Sequence, residues 1–355
     1  MGLYADSLDS VQRVKSLLDG RPVDRVPVFP FALGFCARNV GYPLSSVYED
    51  PGRSLEAQLW TQEMYAWDSP PFYGYASYGS WEFGGQIEFP SSELQQAPSV
   101  PHYPVQSEDD IERLELPDVT KAGMLPRAME FSRKQQALGL PISLVVGGVF
   151  TIAGNICGVD RLCRWMIKKP ELCQRLVQMG SEHLIDVVRL WVKTFGPDNM
   201  AVQIWEPLAS NQIISPRQFQ QFVLPHQRDL HRTILDMGIR QVLCHICGEQ
   251  NLNLPYWTEI PMGDPGIVSF GHEVDLATAI DAFGHSCVVA GNIEPAVIQD
   301  STPQQVYELT RRCIEKGRLS PRGYILMPGC ELPPMAPPYN VHMMMKAVND
   351  YGRYE

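Results

Sequence analysis

The chain has 355 residues with 40 acidic against 29 basic side chains, a formal net charge of −11. That balance excludes a binder that tracks nucleic-acid phosphates, which needs a basic stripe. No apolar run approaches the roughly 18 residues of a membrane-spanning helix. With 45% hydrophobic and 19% charged residues, the length suits one large α/β barrel or two ordinary domains. Nine cysteines at irregular spacing, with no apolar leader, read as reduced thiols of a cytoplasmic protein rather than a disulfide framework.

In chain order, residues 7–19 place Val11, Val14, Leu17 and Leu18 on one helical face and stop at Gly20. Residues 1–24 are therefore expected to form an N-terminal helical extension. Short apolar runs then predict strands over 25–31, weakly near Asp68, and over 142–147, 200–206, 241–247, 266–270, 286–290 and 324–328. Helical periodicity marks 162–195, in two pieces divided near Pro170, then 216–235, 277–283, 304–316 and 340–351. Eight strands with helices between them imply parallel βαβ units, closed as a (β/α)8 TIM barrel in a single domain over 1–355. A doubly wound open sheet is the competitor, but no Gly-x-Gly-x-x-Gly follows a strand.

Between 65 and 90 the chain crowds nine aromatic side chains into a segment rich in Gly, Pro and Ser. As packing, this is a covered cluster that anchors the N-terminal region. As function, it is a loop over the barrel mouth that closes a dry pocket, with Tyr73, Tyr78 and Trp81 as substrate contacts.

The most informative stretch is Gln241-Val-Leu-Cys-His-Ile-Cys. On a strand, His245 and Cys247 share one face while Cys244 and Ile246 take the other. A second apolar run ends in Pro-Gly before Cys330, so strand ends can deliver Cys330 to the same mouth. One imidazole and two thiolates form a three-ligand zinc set with the open fourth position that catalytic zinc requires. The alternative is that these residues simply pack, as expected for Cys36, Cys157, Cys163, Cys173, Cys287 and Cys313. Glu206, at the end of the 200–206 strand, is a candidate catalytic carboxylate or metal partner, or else a helix cap. Asn292 follows the seventh strand and could orient a substrate or cofactor carbonyl.

Several motifs together resemble a known family. They are Arg21-Pro-Val-Asp-Arg-Val-Pro-Val, Gly148-Val-Phe-Thr, Glu206-Pro-Leu-Ala-Ser, Ser215-Pro, His245-Ile-Cys-Gly, Gly291-Asn-Ile-Glu-Pro and Pro328-Gly-Cys-Glu-Leu-Pro-Pro. The chain resembles the uroporphyrinogen decarboxylase superfamily, in particular its corrinoid-dependent methyltransferase branch. That resemblance implies a (β/α)8 barrel and a Zn2+ held by His245, Cys247 and Cys330. It also implies a corrinoid (cobalamin) carried by a partner protein. Phe150, Thr151 and Asn292 would contact the cofactor, and Glu206 and Asn292 would be the catalytic residues.

Two departures stand out. The decarboxylases' Arg-rich propionate-binding motif is reduced here to Arg38, which argues against a tetrapyrrole with many carboxylates. Gly271 stands where relatives carry an acid, leaving the fourth zinc ligand open.

Methyl transfer has two directions: from a methoxylated aromatic to Co(I), or from methyl-Co(III) to a thiol. The aromatic segment favours the first as the sequence expectation. A non-catalytic zinc scaffold ranks third, and a homodimer is compatible with the sequence.

Overall fold

The computed structural model describes residues 6–354. Among the described residues there are eight strands: β1 (Gln86–Glu88), β2 (Ser99–His102), β3 (Ile142–Gly147), β4 (Met200–Trp205), β5 (Val242–Ile246), β6 (Gly266–Phe270), β7 (Cys287–Ile293) and β8 (Tyr324–Pro328). β3 to β8 pair in parallel, in sequence order, as a six-stranded sheet. β1 and β2 form a separate antiparallel pair that the sequence reading did not anticipate.

The first two expected barrel strands are present only as single bridges. Val28 pairs in parallel with Leu326 of β8, and Tyr73 pairs in parallel with Leu144 of β3. Between them the amide of Asp68 donates to the carbonyl of Val28 at 2.9 Å. These links close the ring at eight positions, a (β/α)8 barrel. Both segments fall short of full ladders because Pro27, Pro30, Pro70 and Pro71 have no N–H to donate.

Most barrel helices fall where periodicity placed them. The 162–195 pattern resolves into Val159–Lys168 and Pro170–Phe195. The 216–235 pattern is less regular, with a π turn over Phe219–Val223 before the helix Leu224–Asp236. Pro225 cannot donate to the Gln221 carbonyl, and that oxygen accepts from Gln174 Nε2 at 3.0 Å instead.

The N-terminal extension contains a helix over Ser10–Leu18, started by an Asp9/Gln12 capping box. Its buried Arg13 reaches Asp24 at 2.6 Å and Asp68 at 2.5 Å, and Arg25 reaches Asp68 at 2.7 Å. Asp68 thus ties the extension to the start of the second barrel position.

The aromatic segment lies over the end of β3, where a Cβ on Gly147 would sit 3.5 Å from the Tyr78 ring. Its rings are packed rather than open. Tyr73 is buried and stacks on Phe131 at 5.2 Å, and Tyr78 Oη lies 2.8 Å from His183 Nε2. Trp81 is half-buried beneath the Arg127 guanidinium, 5.4 Å from its ring. Glu82, also buried, accepts from the Tyr75 hydroxyl and from the amides of Gly79 and Met124. Those bonds stitch the loop into the core.

Candidate metal centre

Parallel pairing of β4, β5 and β6 sets the site. Trp205 pairs with His245, and His245 with Ser269. Inward-facing residues alternate along each strand, so Gln203 and Trp205 on β4 line one cavity with Leu243 and His245 on β5. Cys247 lies one residue beyond β5, and Cys330 two beyond β8.

The ligand atoms of His245, Cys247 and Cys330 all lie within 4.8 Å of one another. The two sulfurs are 3.9 Å apart. Two Zn–S bonds of about 2.3 Å at a tetrahedral angle would separate them by about 3.8 Å, so the spacing fits.

His245 is 3% exposed. Its Nδ1 lies 2.9 Å from Ser269 Oγ, while its buried Nε2 has no hydrogen-bond partner. An Nδ1–H donated to Ser269 leaves an Nε2 lone pair for a metal, and an orphaned buried nitrogen is otherwise costly.

The thiols are unequal. The Cys247 thiol beside it holds Cys330 well below the ordinary thiol range, whereas Cys330, burial and Glu273 together push Cys247 up. Two thiols and an imidazole at this spacing are a donor set whose chemistry suits zinc.

The other predicted residues lie nearby without joining this cluster. Glu206 is fully buried and accepts from the amides of Phe150 at 2.7 Å and Thr151 at 2.9 Å, and from the Thr151 hydroxyl. It thus caps the first turn of the helix Val149–Cys157. Burial pushes its pKa up to about 7, against the pull of those donors. Phe150 and Thr151 are buried around this carboxylate, engaged in the cap rather than facing an open cleft. Asn292 Nδ2 donates to the carbonyls of Gly271 at 2.9 Å and Val274 at 2.6 Å. It fixes the turn that carries Glu273.

Sequence reasoning missed four residues at the site. Ser269 orients the imidazole. Phe31 packs edge-on to His245 at 5.1 Å and to Trp205 at 4.8 Å. It does so from φ 47°, a left-handed conformation that costs a side-chain-bearing residue about 1 kcal/mol. Glu331 follows Cys330, and burial and that thiolate raise it to about 8. Glu273 has a buried Oε2 without a hydrogen-bond partner. Only the Cys330-Glu331 adjacency was visible in one dimension.

Residues 9–351 match the family profile of uroporphyrinogen decarboxylase (URO-D). The chain belongs to the uroporphyrinogen decarboxylase family. Within it, the methylcobamide:CoM methyltransferase MtaA of Methanosarcina barkeri is 23% identical over 346 residues, covering 96% of this chain and 97% of that protein. The methylcobamide:CoM methyltransferase MtbA of Methanosarcina acetivorans is 25% identical over 264 residues, 74% of each. A uroporphyrinogen decarboxylase of Danio rerio is 22% identical over 273 residues, covering 73% of this chain and 70% of that protein. Among solved structures, a methyltransferase from Methanosarcina mazei superposes with a TM-score of 0.80 at 22% identity, over 97% of this chain and 99% of that one. That likeness shows the shared fold.

Proposed function

We propose that this family member transfers a methyl group from the corrinoid of a partner protein to a thiol. The observation that carries the reading is the convergence of His245, Cys247 and Cys330, with the unpartnered Nε2 of His245, at the end of β5. A zinc ion held by these three residues would lower the pKa of a thiol reaching its open position.

The chain's own residues prepare that position. Ser269 holds the imidazole in one orientation through its bond with Nδ1. Phe31, Phe72 and Trp205 wall the adjacent space with rings, keeping water from competing with sulfur. Asn292 fixes the turn on which Glu273 stands, placing a carboxylate oxygen that makes no hydrogen bond beside Cys247 as acceptor for the thiol proton. The sulfur lone pair forms the new S–CH3 bond, and the Co–C electron pair stays on cobalt as Co(I).

Two observations favour this direction over demethylation of a methoxylated aromatic. The cavity beside His245 is partly open, and its enclosed space of about 20 Å³ suits a group of water or methyl size. Tyr73 and Tyr78, two of the three expected ring contacts, are buried and already bonded within the core, while the third, Trp81, is half-buried against Arg127. The methylcobamide:CoM methyltransferases among the relatives support the thiol direction as well.

The test is spectroscopic. Zinc-loaded protein, methylcobalamin and a thiol should give thiol-dependent loss of the methyl-Co(III) spectrum. Consumption of Co(I) by a methoxylated aromatic, with no thiol-dependent reaction, would reverse the assignment.

A further inference from the structure

The metal centre lies between two regions that are both inhospitable to an anion. On the barrel-axis side, the cavity next to His245 is walled by Phe31, Phe72, Trp205, Leu243 and Met327. Among the described residues lining it, none is Lys or Arg. Its amide, Gln203, is engaged, with Nε2 donating to Ser143 Oγ at 2.6 Å.

On the mouth side stand carboxylates. The Oε2 of Glu273, which has no hydrogen-bond partner, lies 2.3 Å from where a Cβ on Gly271 would be, and that same point is 3.2 Å from Cys247 Cα. Lack of a side chain at Gly271 is thus what lets this carboxylate lie against the Cys247 backbone. Glu294 stands at the end of β7.

The imidazole here, His272, sits 3.6 Å from the Glu273 carboxylate and 3.9 Å from that of Glu294. Any positive charge on it is offset twice over. Arg38, on the short helix that begins at Gly34, is exposed and donates to the carbonyl of Pro334 at 3.2 Å.

Building on the methyl-transfer reading above, we propose that the acceptor is a short, uncharged alkyl thiol, and that this chain selects against thiols bearing an anionic group. An anionic tail turned into the cavity loses its hydration with no Lys or Arg among the described lining residues to replace it. Turned outward, it meets the carboxylates of Glu273 and Glu294, which flank His272. The cavity volume of about 20 Å³ accommodates a methyl- or methylene-sized end. Selection of this kind would separate the chain from relatives whose names specify CoM, since coenzyme M is 2-mercaptoethanesulfonate.

The experiment compares ethanethiol with 2-mercaptoethanesulfonate as acceptors from methylcobalamin on zinc-loaded protein, at low and high salt. A parallel arm measures binding of ethyl methyl sulfide and 2-(methylthio)ethanesulfonate to zinc-free protein by saturation-transfer NMR. Ethanethiol should be favoured in kcat/KM by about tenfold or more. Salt should speed the reaction of the sulfonate and leave that of ethanethiol unchanged. Glu294→Gln should narrow the ratio by about threefold, and the uncharged sulfide should bind the zinc-free protein better. Equal or better use of the sulfonate without a salt response, or tighter binding of the sulfonated sulfide, would overturn the proposal. If neither thiol demethylates methylcobalamin, the methyl-transfer reading fails, while the binding arm still decides the charge selection.

Discussion

His245 offers one nitrogen to Ser269 and keeps the other without a hydrogen-bond partner, an asymmetry that fits the proposed metal ligand better than a core histidine. Ser269→Ala should therefore leave the fold intact and weaken zinc binding by about tenfold. Competition with a chromophoric chelator measures this, and unchanged affinity would remove Ser269 from the site. The His-x-Cys pair was legible because a strand repeats every two residues. Ser269 was not, because its place depends on the register between β5 and β6, which no local pattern encodes. Phe31 was equally hidden, since its ring reaches His245 only through a left-handed backbone. Glu206 shows how a strand-end carboxylate can be structural: the same position that suggests chemistry also faces the start of the next helix.

The helix Val149–Cys157 begins against that carboxylate, and Gly148 makes the approach possible. A Cβ there would meet Glu206 Oε2 at 2.3 Å. Glu206→Ala strands the buried amides of Phe150 and Thr151 and should cost about 3 kcal/mol. Urea unfolding would register that loss, while zinc affinity should hold. A large fall in zinc affinity with little loss of stability would instead restore Glu206 to the metal. Among the strands, six of eight were legible as apolar runs. The first two barrel positions lack ladders because proline removes their donors, although their place in the ring is kept. The aromatic segment was legible as a segment but not in its packing, because Glu82 and His183, which hold it, lie among residues whose polar type gives no hint of burial.

Across the whole molecule, burial favours the neutral form of His183 and His231. Burial lowers His183 and His231 from 6.5 to about 4 each. Below pH 6.5 the unfolded chain takes up protons that the folded chain refuses. Their contribution is therefore complete above pH 6.5 and is lost as pH falls towards 4, by up to about 3 kcal/mol each. The urea midpoint should drop between pH 7 and pH 4.5, and His183→Gln should lose less over that interval. An identical drop in the variant would contradict this. Barrel closure also explains why residues 245, 247 and 330, distant in sequence, serve one site: parallel strands in a ring all end at one face.

The central claim is a three-donor metal centre with one position left for a substrate thiol. X-ray absorption on zinc-loaded protein, before and after adding a thiol, tests it most directly. The account predicts two sulfurs and one imidazole nitrogen at zinc in the resting protein, and a third sulfur when the thiol is present. A zinc site without protein sulfur, or one whose sulfur count does not change, would contradict it.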